Sequence, residues 1–413
     1  MLNELFPRDH SRYRQLPILG STLDGFSEFL KERGYHKYIS CVRVRAAVSI
    51  DRELRKRCCR KIGDITRSKL SACAPPIGKS QEDIHASATT HLLKQYFESR
   101  QIFLPVPLDP IETKVSHYRE YLEKVRGLSS SSLHQHSRTV REFLAFLKCQ
   151  KDMGVLAQLN QRKLETFVKN TGRRLSRESM QHYVAHLRSF LRFLVSRGEA
   201  PLGLDRQIDT PRVYRQEKLP RALPWDTVQR LLKSIDRSRP MGKRDYAMLL
   251  LIATYGLRAS EVVALKLEDI EWRKSCLKIS QRKTASPLLL PLTDKVGAAI
   301  LAYLQKGRPP VKYREVFVRH RAPSGTLKPT AVNEVFQSWS RKSKLGIPFQ
   351  GSHCIRHSYA VHLLRQGVSV KTIGDILGHR NAESTCVYLR LSVDDLRTVP
   401  LNLPKSITAR RAQ

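Results

Sequence analysis

The sequence predicts a mainly α-helical protein with one small β-sheet, an α+β fold divided over several domains. Helical periodicity, with apolar residues at i, i+3 and i+4, marks most segments between the Pro- and Gly-rich stretches. One strand-rich insert interrupts this helical periodicity. Residues 275–280 and 287–292 have the composition of β-strands, which predicts a hairpin with 281–286 as its turn. Since a domain usually holds roughly 100–200 residues, the 413-residue chain should form two to four domains.

The balance of charge is strongly basic. Lys and Arg number 74 against 37 Asp and Glu, a formal net charge of +37. Hydrophobic residues make up 41% of the chain, enough to build cores, which excludes a disordered histone-like or protamine-like tail. So positive a surface needs a polyanionic partner, and nucleic acid is the first candidate because neutralised phosphates release counterions. An anionic membrane surface and an RNA-rich particle are the alternatives.

Other classes of protein are not indicated. No run approaches the ~18 apolar residues of a membrane helix, and the N-terminus has no apolar signal core. We therefore expect a soluble, cytoplasmic protein with no membrane partner. The eight cysteines form no CxxC pair and the histidines no HExxH motif. We expect free thiols, buried or half-buried, and neither a metal nor a cofactor.

A Pro- and Gly-rich stretch divides the chain. Residues 198–224 contain four prolines after Gly198 and show no helical periodicity, which predicts an extended interdomain linker. Two amphipathic helices should follow it, at 225–235 and 243–255.

The part before this stretch has the pattern of an internal duplication. Residues 26–34 (FSEFLKERG) and 118–127 (YREYLEKVRG) place aromatics equivalently and end in a glycine suited to a helix C-cap. Each is followed by a helical stretch, then by a helix start with Thr66 or Asn160 as N-cap, then by a closing helix. The helical stretches are predicted at 42–57, 133–149, 86–99 and 177–196. Two unrelated helical bundles are the alternative.

Four segments of the C-terminal part contain candidate catalytic residues: 254–265 (TYGLRASEVVAL), the hairpin turn 281–286 (QRKTAS), 351–357 (GSHCIRH) and 377–388 (LGHRNAESTCVY). Gly256 should end one helix, with the next beginning near Ser260, so that Arg258 projects from the break. His353 and Arg356 are three apart and share one face of a helix start. Singly, each residue has a structural explanation, as a surface cation, a capping or core histidine, or a packing tyrosine.

Together, the order Arg, Lys, His-x-x-Arg, His and Tyr closely resembles the tyrosine recombinase (phage integrase) family. The resemblance is specific over residues 220–390 and looser back to 115. It implies a SAM-like helical core-binding domain, an integrase-type catalytic domain and an extra N-terminal helical domain. The positions that match the family's catalytic residues are Arg258, Lys283, His353, Arg356, His379 and Tyr388, with Glu261 as the acidic residue that supports the first arginine.

Two departures accompany the resemblance. The histidine box reads His-Cys-Ile-Arg-His, an apolar swap for the commoner leucine. The hairpin turn lacks the usual glycine and second lysine, and Arg282 stands next to Lys283, so either could occupy the position of the general acid.

The resemblance implies DNA cleavage without a metal or a cofactor. The two arginines would bind the non-bridging oxygens of a phosphodiester, where charge develops. Tyr388 would attack to form a 3′-phosphotyrosyl intermediate, with His353 accepting its proton. Lys283 would protonate the 5′-oxygen, and His379 would hydrogen-bond the phosphate.

The resemblance also implies an assembly and a setting. Double-stranded DNA would be held in a clamp by a homo-tetramer, or a mixed tetramer with related recombinases, in which residues 392–403 pack on a neighbour. The expected domains are N-terminal helical (1–105), core-binding (106–200), linker (201–219), catalytic (220–403) and basic tail (404–413). The extra domain favours a bacterial, nucleoid-associated recombinase that integrates or transposes a mobile element. A DNA-binding architectural protein on the same fold and a type IB topoisomerase-like enzyme are the alternatives.

Overall fold

The computed structural model describes residues 1–75, 80–103, 109–214, 219–280, 287–349, 351–379, 381 and 383–391. The chain divides into two units, residues 1–104 together with 219–413, and residues 105–218. Helices dominate both, and the described residues form a single three-stranded antiparallel sheet, which confirms the predicted fold class. None of the described helices is both long and apolar enough to cross a membrane.

In the N-terminal part of the first unit, the described residues form six α-helices around their own apolar core. They are α1 (Leu2–Leu5), α2 (His10–Arg14), α3 (Leu23–Glu32), α4 (Lys37–Lys56), α5 (Arg67–Ser71) and α6 (Gln81–Ser99). Two predicted signals are confirmed. The Thr66 hydroxyl caps α5 by accepting from the Lys69 N–H at 3.2 Å, and Gly34, after α3, has a positive φ of 77°.

The part of the second unit that the structure describes contains four α-helices, packed around a core rich in Phe and Leu. They are α7 (Pro110–Lys124), α8 (Ser130–Phe146), α9 (Gln161–Gly172) and α10 (Arg177–Ser196). Asn160 caps α9 as predicted, and α10 has the predicted bounds. The order of helices repeats that of α3 to α6, but the duplication itself stays a prediction. Leu204 and Ile208, in the predicted linker, are buried in this core, so the stretch is anchored where it begins.

The C-terminal part of the first unit contains the remaining helices and the sheet. The helices are α11 (Trp225–Lys233), α12 (Pro240–Tyr255), α13 (Ala259–Ala264), α14 (Asp294–Lys306), α15 (Pro329–Ser343), α16 (His353–Arg365), α17 (Val370–Leu377) and α18 (Glu383–Cys386). The strands are β1 (Ile270–Glu271), β2 (Cys276–Ser280) and β3 (Pro287–Pro291), with Leu277 paired to Ile270 on one side and Leu290 on the other. The two predicted strands are confirmed as an antiparallel pair, while their predicted turn, 281–286, lies outside the described residues. Strand β1 was not foreseen.

The core of this part places the ends of three helices next to one another. Helix α12 is buried almost all round and contacts α14, α15 and α16. A second, smaller cluster joins α16 and α17 to Tyr388. The C-terminal end of α12, the start of α16 and the end of α17 therefore surround one small volume, which contains most of the predicted site.

The thiol prediction needs one correction. All eight cysteines are free, as expected, and six are buried or half-buried. Cys58, which follows α4, and Cys386, the last residue of α18, are exposed.

Candidate active site

Arg258 is positioned by a sharp break between two helices. Gly256 ends α12 with a left-handed φ of 64°. A side chain there would clash, since a Cβ would lie 2.5 Å from Leu377 Cδ2 and 2.9 Å from Tyr359 Cδ1. Arg258 is then the N-cap residue of α13, with extended backbone. The break turns its guanidinium toward the end of α17, where Nη2 donates to the Gly378 carbonyl at 3.3 Å.

Glu261 holds Arg258 at two points. Its Oε1 accepts from Arg258 Nη1 at 2.7 Å, and its Oε2 accepts from the Arg258 backbone N–H at 2.8 Å. The Glu261 side chain is only 3% exposed, against 19% for Arg258. This buried carboxylate therefore fixes both the backbone and the side chain of the arginine.

Arg356 lies on the first turn of α16 and is 2% exposed. Its Nη1 donates to the Gly256 carbonyl, and its Nη2 donates to the Leu377 carbonyl at 2.7 Å. Burial, together with the nearby Arg258 cation, lowers the pKa of Arg356 to about 10. The guanidinium is still charged at neutral pH, so the site holds two cations close together with one carboxylate.

His379 links Arg356 to the segment that carries Tyr388. Its Nε2 lies 3.2 Å from Arg356 Nη2, and its Nδ1 lies 2.8 Å from Thr385 Oγ1. Because arginine can only donate, Nε2 is the acceptor and Nδ1 carries the proton that is donated to Thr385. Burial lowers the pKa of His379 to about 4, with Arg356, Arg258 and His353 contributing, which agrees with a neutral ring.

Tyr388 lies in a 3₁₀ turn, Val387–Leu391, and is 3% exposed. Burial raises the pKa of its phenol, and the opposing influence of Arg356 and Arg258 is smaller. Its ring stacks 6.4 Å from that of His379. The hydroxyl lies 3.1 Å from Nδ1 of His357. The candidate nucleophile is thus protonated at neutral pH and sits beside both arginines in its own chain.

His353 and His357 lie one turn apart on α16. His353 begins the helix and is exposed, and its ring centroid is 4.4 Å from that of His357. Burial lowers the pKa of His357 to about 4. Sequence reasoning placed His357 in the histidine box without assigning it a role, although its spacing of four from His353 puts both on one helix face.

The structure brings together six of the seven predicted site residues. Lys283 and its neighbour Arg282 lie outside the described residues, as do residues 392–413, so the assignments there stay predictions. Within the part of the chain that the structure describes, no group of three or more His, Cys, Asp or Glu side chains could hold a metal ion. Two guanidinium groups, neutral imidazoles and a buried phenol form a site suited to a phosphodiester anion.

Two protein-family models match this chain, and one of them spans the candidate active site. Residues 221–394 match the phage integrase family, and residues 115–198 match the phage integrase N-terminal SAM-like domain. A Sinorhizobium fredii protein named as an integrase/recombinase is 34% identical over 77% of this chain and 78% of its own length. Tyrosine recombinase XerD of Listeria monocytogenes is 28% identical over 69% of this chain and 96% of its own length.

Solved structures share the fold. The XerH recombinase bound to palindromic difH substrate, in a post-cleavage complex, has a TM-score of 0.54 at 17% identity over 82% of this chain and 93% of its own. A lambda integrase (75–356) dimer bound to a COC′ core site has a TM-score of 0.52 at 16% identity, covering 67% of this chain and 94% of its own.

Proposed function

Since this chain belongs to the tyrosine recombinase (phage integrase) family, whose members break and rejoin DNA strands, we propose that it is a site-specific recombinase of a mobile element. In this proposal Tyr388 attacks a DNA phosphodiester to form a 3′-phosphotyrosyl intermediate. One observation carries it: the buried Arg356 and the half-buried Arg258 both lie close enough to the buried Tyr388 to act on the pKa of its phenol.

Phosphate binding would use groups already in place. In the free protein the two arginines donate to the carbonyls of Gly256, Leu377 and Gly378. Each guanidinium has further N–H groups for the non-bridging oxygens of a phosphate. Charge that develops on those oxygens during attack would meet two fixed cations in a largely dry site, where such stabilisation is large.

The reaction moves two protons, and each needs its own acceptor or donor. The phenol proton leaves as the O–P bond forms, and exposed His353 is the proposed acceptor. The 5′-oxygen takes a proton as its bond to phosphorus breaks, and Lys283, or Arg282 beside it, is the proposed donor. Once that anion competes for Arg356, His379 would donate to the phosphate from Nε2, which requires its proton to move there from Nδ1, with the Thr385 hydroxyl then donating to Nδ1. The 5′-hydroxyl of another strand then reverses the step and releases Tyr388.

The domain roles and assembly are part of the proposal. A SAM-like core-binding domain (106–200) and a catalytic domain (220–403) would clamp a duplex, with the N-terminal domain (1–105) adding contacts. Relatives named integrase/recombinase support a mobile-element role. A lambda integrase tetramer bound to a Holliday junction, with a TM-score of 0.50, supports assembly as a tetramer on DNA.

One experiment can identify both the DNA site and the nucleophile. The protein is expressed in bacteria, and DNA that stays bound under denaturing conditions, without a cross-linker, is recovered and sequenced. We expect recovered fragments to end at a shared motif in the wild type and to vanish in Tyr388→Phe. Tyr359→Phe, which removes another hydroxyl from the same region, is the matched control and should behave as wild type. Equal recovery from Tyr388→Phe would place the nucleophile elsewhere.

A further inference from the structure

We propose that His357 positions the nucleophile, by accepting the hydrogen bond of the Tyr388 hydroxyl and holding the phenol for attack. The inference rests on the proposed function of Tyr388 and adds a residue to that reaction. It begins from the contact between His357 Nδ1 and Tyr388 Oη, at 3.1 Å.

The burial of Tyr388 makes this hydrogen bond necessary. Tyr388 is 3% exposed, and a buried phenol hydroxyl requires a partner. Among the described residues, His357 Nδ1 is the hydrogen-bond partner of that hydroxyl. The two rings lie 5.5 Å apart at 60°, so the imidazole meets the phenol near its oxygen and does not stack on its face.

The direction of the hydrogen bond follows from the surroundings. Four groups that are or can become cations face His357: His353, Arg356, His379 and Arg221. Burial, and to a lesser extent these groups, keep the ring neutral, with a pKa of about 4. A neutral ring could accept or donate at Nδ1, but a donated proton would leave the phenol's own proton without an acceptor among the described residues. The tautomer with the proton on Nε2 satisfies both groups.

The consequence is a fixed line of attack. His357 follows Arg356 directly on α16, so one helical turn carries both a phosphate-binding guanidinium and the anchor of the phenol oxygen. The distance between phosphorus and nucleophile is then set by the rigid start of a helix. A positioned nucleophile gains rate because its orientation is settled before the reaction. A ring this reluctant to take a proton is a poor base, so His357 holds the hydroxyl before attack, and the phenol proton turns from His357 Nδ1 to the proposed acceptor, His353, as the O–P bond forms.

Two variants separate anchoring from proton transfer. His357→Asn places an amide oxygen near the former Nδ1 and can still accept from the phenol, whereas it cannot take up a proton. His357→Leu keeps much of the volume and removes the acceptor. Thermal unfolding and circular dichroism establish that each variant folds, and Tyr388→Phe provides the reference without the hydroxyl.

The first readout needs no DNA. Protein labelled with 3-fluorotyrosine is studied by ¹⁹F NMR, with the Tyr388 signal assigned by its loss in Tyr388→Phe. We expect His357→Leu to shift that signal and to expose Tyr388 to nitration by tetranitromethane, while His357→Asn stays near the wild type. An unchanged Tyr388 signal and unchanged nitration in His357→Leu would overturn the proposal.

The second readout is the rate of adduct formation on a nicked duplex that carries the recovered motif. Loss of one buried hydrogen bond should slow His357→Leu by roughly ten- to a hundredfold, with the Kd for DNA nearly unchanged. His357→Asn should retain most of the rate and the wild-type pH profile. A fall in His357→Asn as large as in His357→Leu would make His357 a proton-transfer group and overturn the anchoring role. A wild type that forms no adduct refutes the proposed function instead, and the NMR result then stands by itself.

Discussion

Glu261 holds Arg258 with both carboxylate oxygens, one on the guanidinium at 2.7 Å and one on the backbone N–H at 2.8 Å. The same carboxylate therefore caps the start of α13 and directs the arginine. Helix start and active site depend on one buried side chain.

Glu261→Ala should weaken stability and cleavage together. Removing one partner of a buried ion pair leaves the other charge uncompensated, at a cost of roughly 3 kcal/mol for this partly buried pair. Urea unfolding would measure the stability, and adduct formation the activity. Glu268→Ala is the matched control, since it removes an exposed carboxylate that pairs with Arg314 at 3.3 Å and should change both little. Similar losses in the two variants would argue against a special role for Glu261.

We expect Thr385 to support adduct formation through its hydroxyl and not through its methyl group. It is 1% exposed and accepts the Nδ1 proton of His379 at 2.8 Å, which keeps Nε2 free to face Arg356. Thr385→Val keeps the shape but leaves a buried N–H unsatisfied, and Thr385→Ser keeps the acceptor. We expect adduct formation to fall about tenfold or more in Thr385→Val and to remain high in Thr385→Ser. Equal rates would show that the tautomer of His379 is set by other groups.

Acid should destabilise the protein through its buried histidines. Burial lowers the pKa of His186 and of His320 to about 4, as it does for His357 and His379. Unfolded histidines titrate near 6.5, so between about pH 6.5 and 4 the unfolded chain binds more protons. Stability is therefore lost as the pH falls through that window.

The variant His320→Gln measures the contribution of one histidine, because glutamine does not titrate between about pH 4 and 6.5. Its amide can still hydrogen-bond Tyr303, whose hydroxyl lies 3.3 Å from His320 Nε2. The thermal midpoint at pH 7.5 and pH 5 is measured for both proteins. The drop on acidification should be smaller in His320→Gln than in the wild type. An identical drop would mean that His320 does not contribute.

The salt dependence of DNA binding should distinguish unpaired from paired cations on α4. Arg45 and Arg52 are exposed, and no carboxylate of the described residues lies within 4 Å of either, whereas Arg55 pairs with Asp51 at 3.4 Å and Lys56 with Glu53 at 2.8 Å. If both unpaired arginines contact phosphates, Arg45→Gln/Arg52→Gln should reduce the slope of log K against log salt by about 2.

The paired cations of α4 supply the control for that measurement. Arg55→Gln/Lys56→Gln removes the same charge from the same helix and should change the slope less, because those charges are already neutralised. Fluorescence anisotropy on a labelled duplex at several salt concentrations gives both slopes. Equal slopes for the two double variants would contradict the expectation.

Some of the fold could be read from local patterns, and the rest depends on tertiary contacts. Helix α10 was predicted to the residue because its apolar face and its N-cap, Ser176, begin together. Helix α8 begins at Ser130, earlier than predicted, because Ser129 caps it before the apolar residues start. Strand β1 has two residues, too few for any alternation to be visible.

The candidate site, like the fold, could be predicted from local sequence only in part. The order of motifs predicts Arg258, Arg356, His379 and Tyr388 as site residues, because each stands in a recognisable local sequence. The contact of His357 with Tyr388 spans 31 residues and arises from the packing of α16 against the 3₁₀ turn. No local pattern encodes that packing, so a role for His357 could be inferred only in three dimensions.

In the candidate active site, main-chain carbonyls at the ends of α12 and α17 hold Arg356, and one of them also holds Arg258, which Glu261 fixes as well. Main-chain atoms do not change when a side chain is substituted. The placement of the two cations can therefore survive much sequence drift around them, but not a change in chain length. Inserting one residue within 374–379 would rotate the carbonyls of Leu377 and Gly378 away from the guanidiniums and remove a contact from each arginine at once. Point substitutions near these helix ends, Gly256 excepted, are therefore safer than insertions.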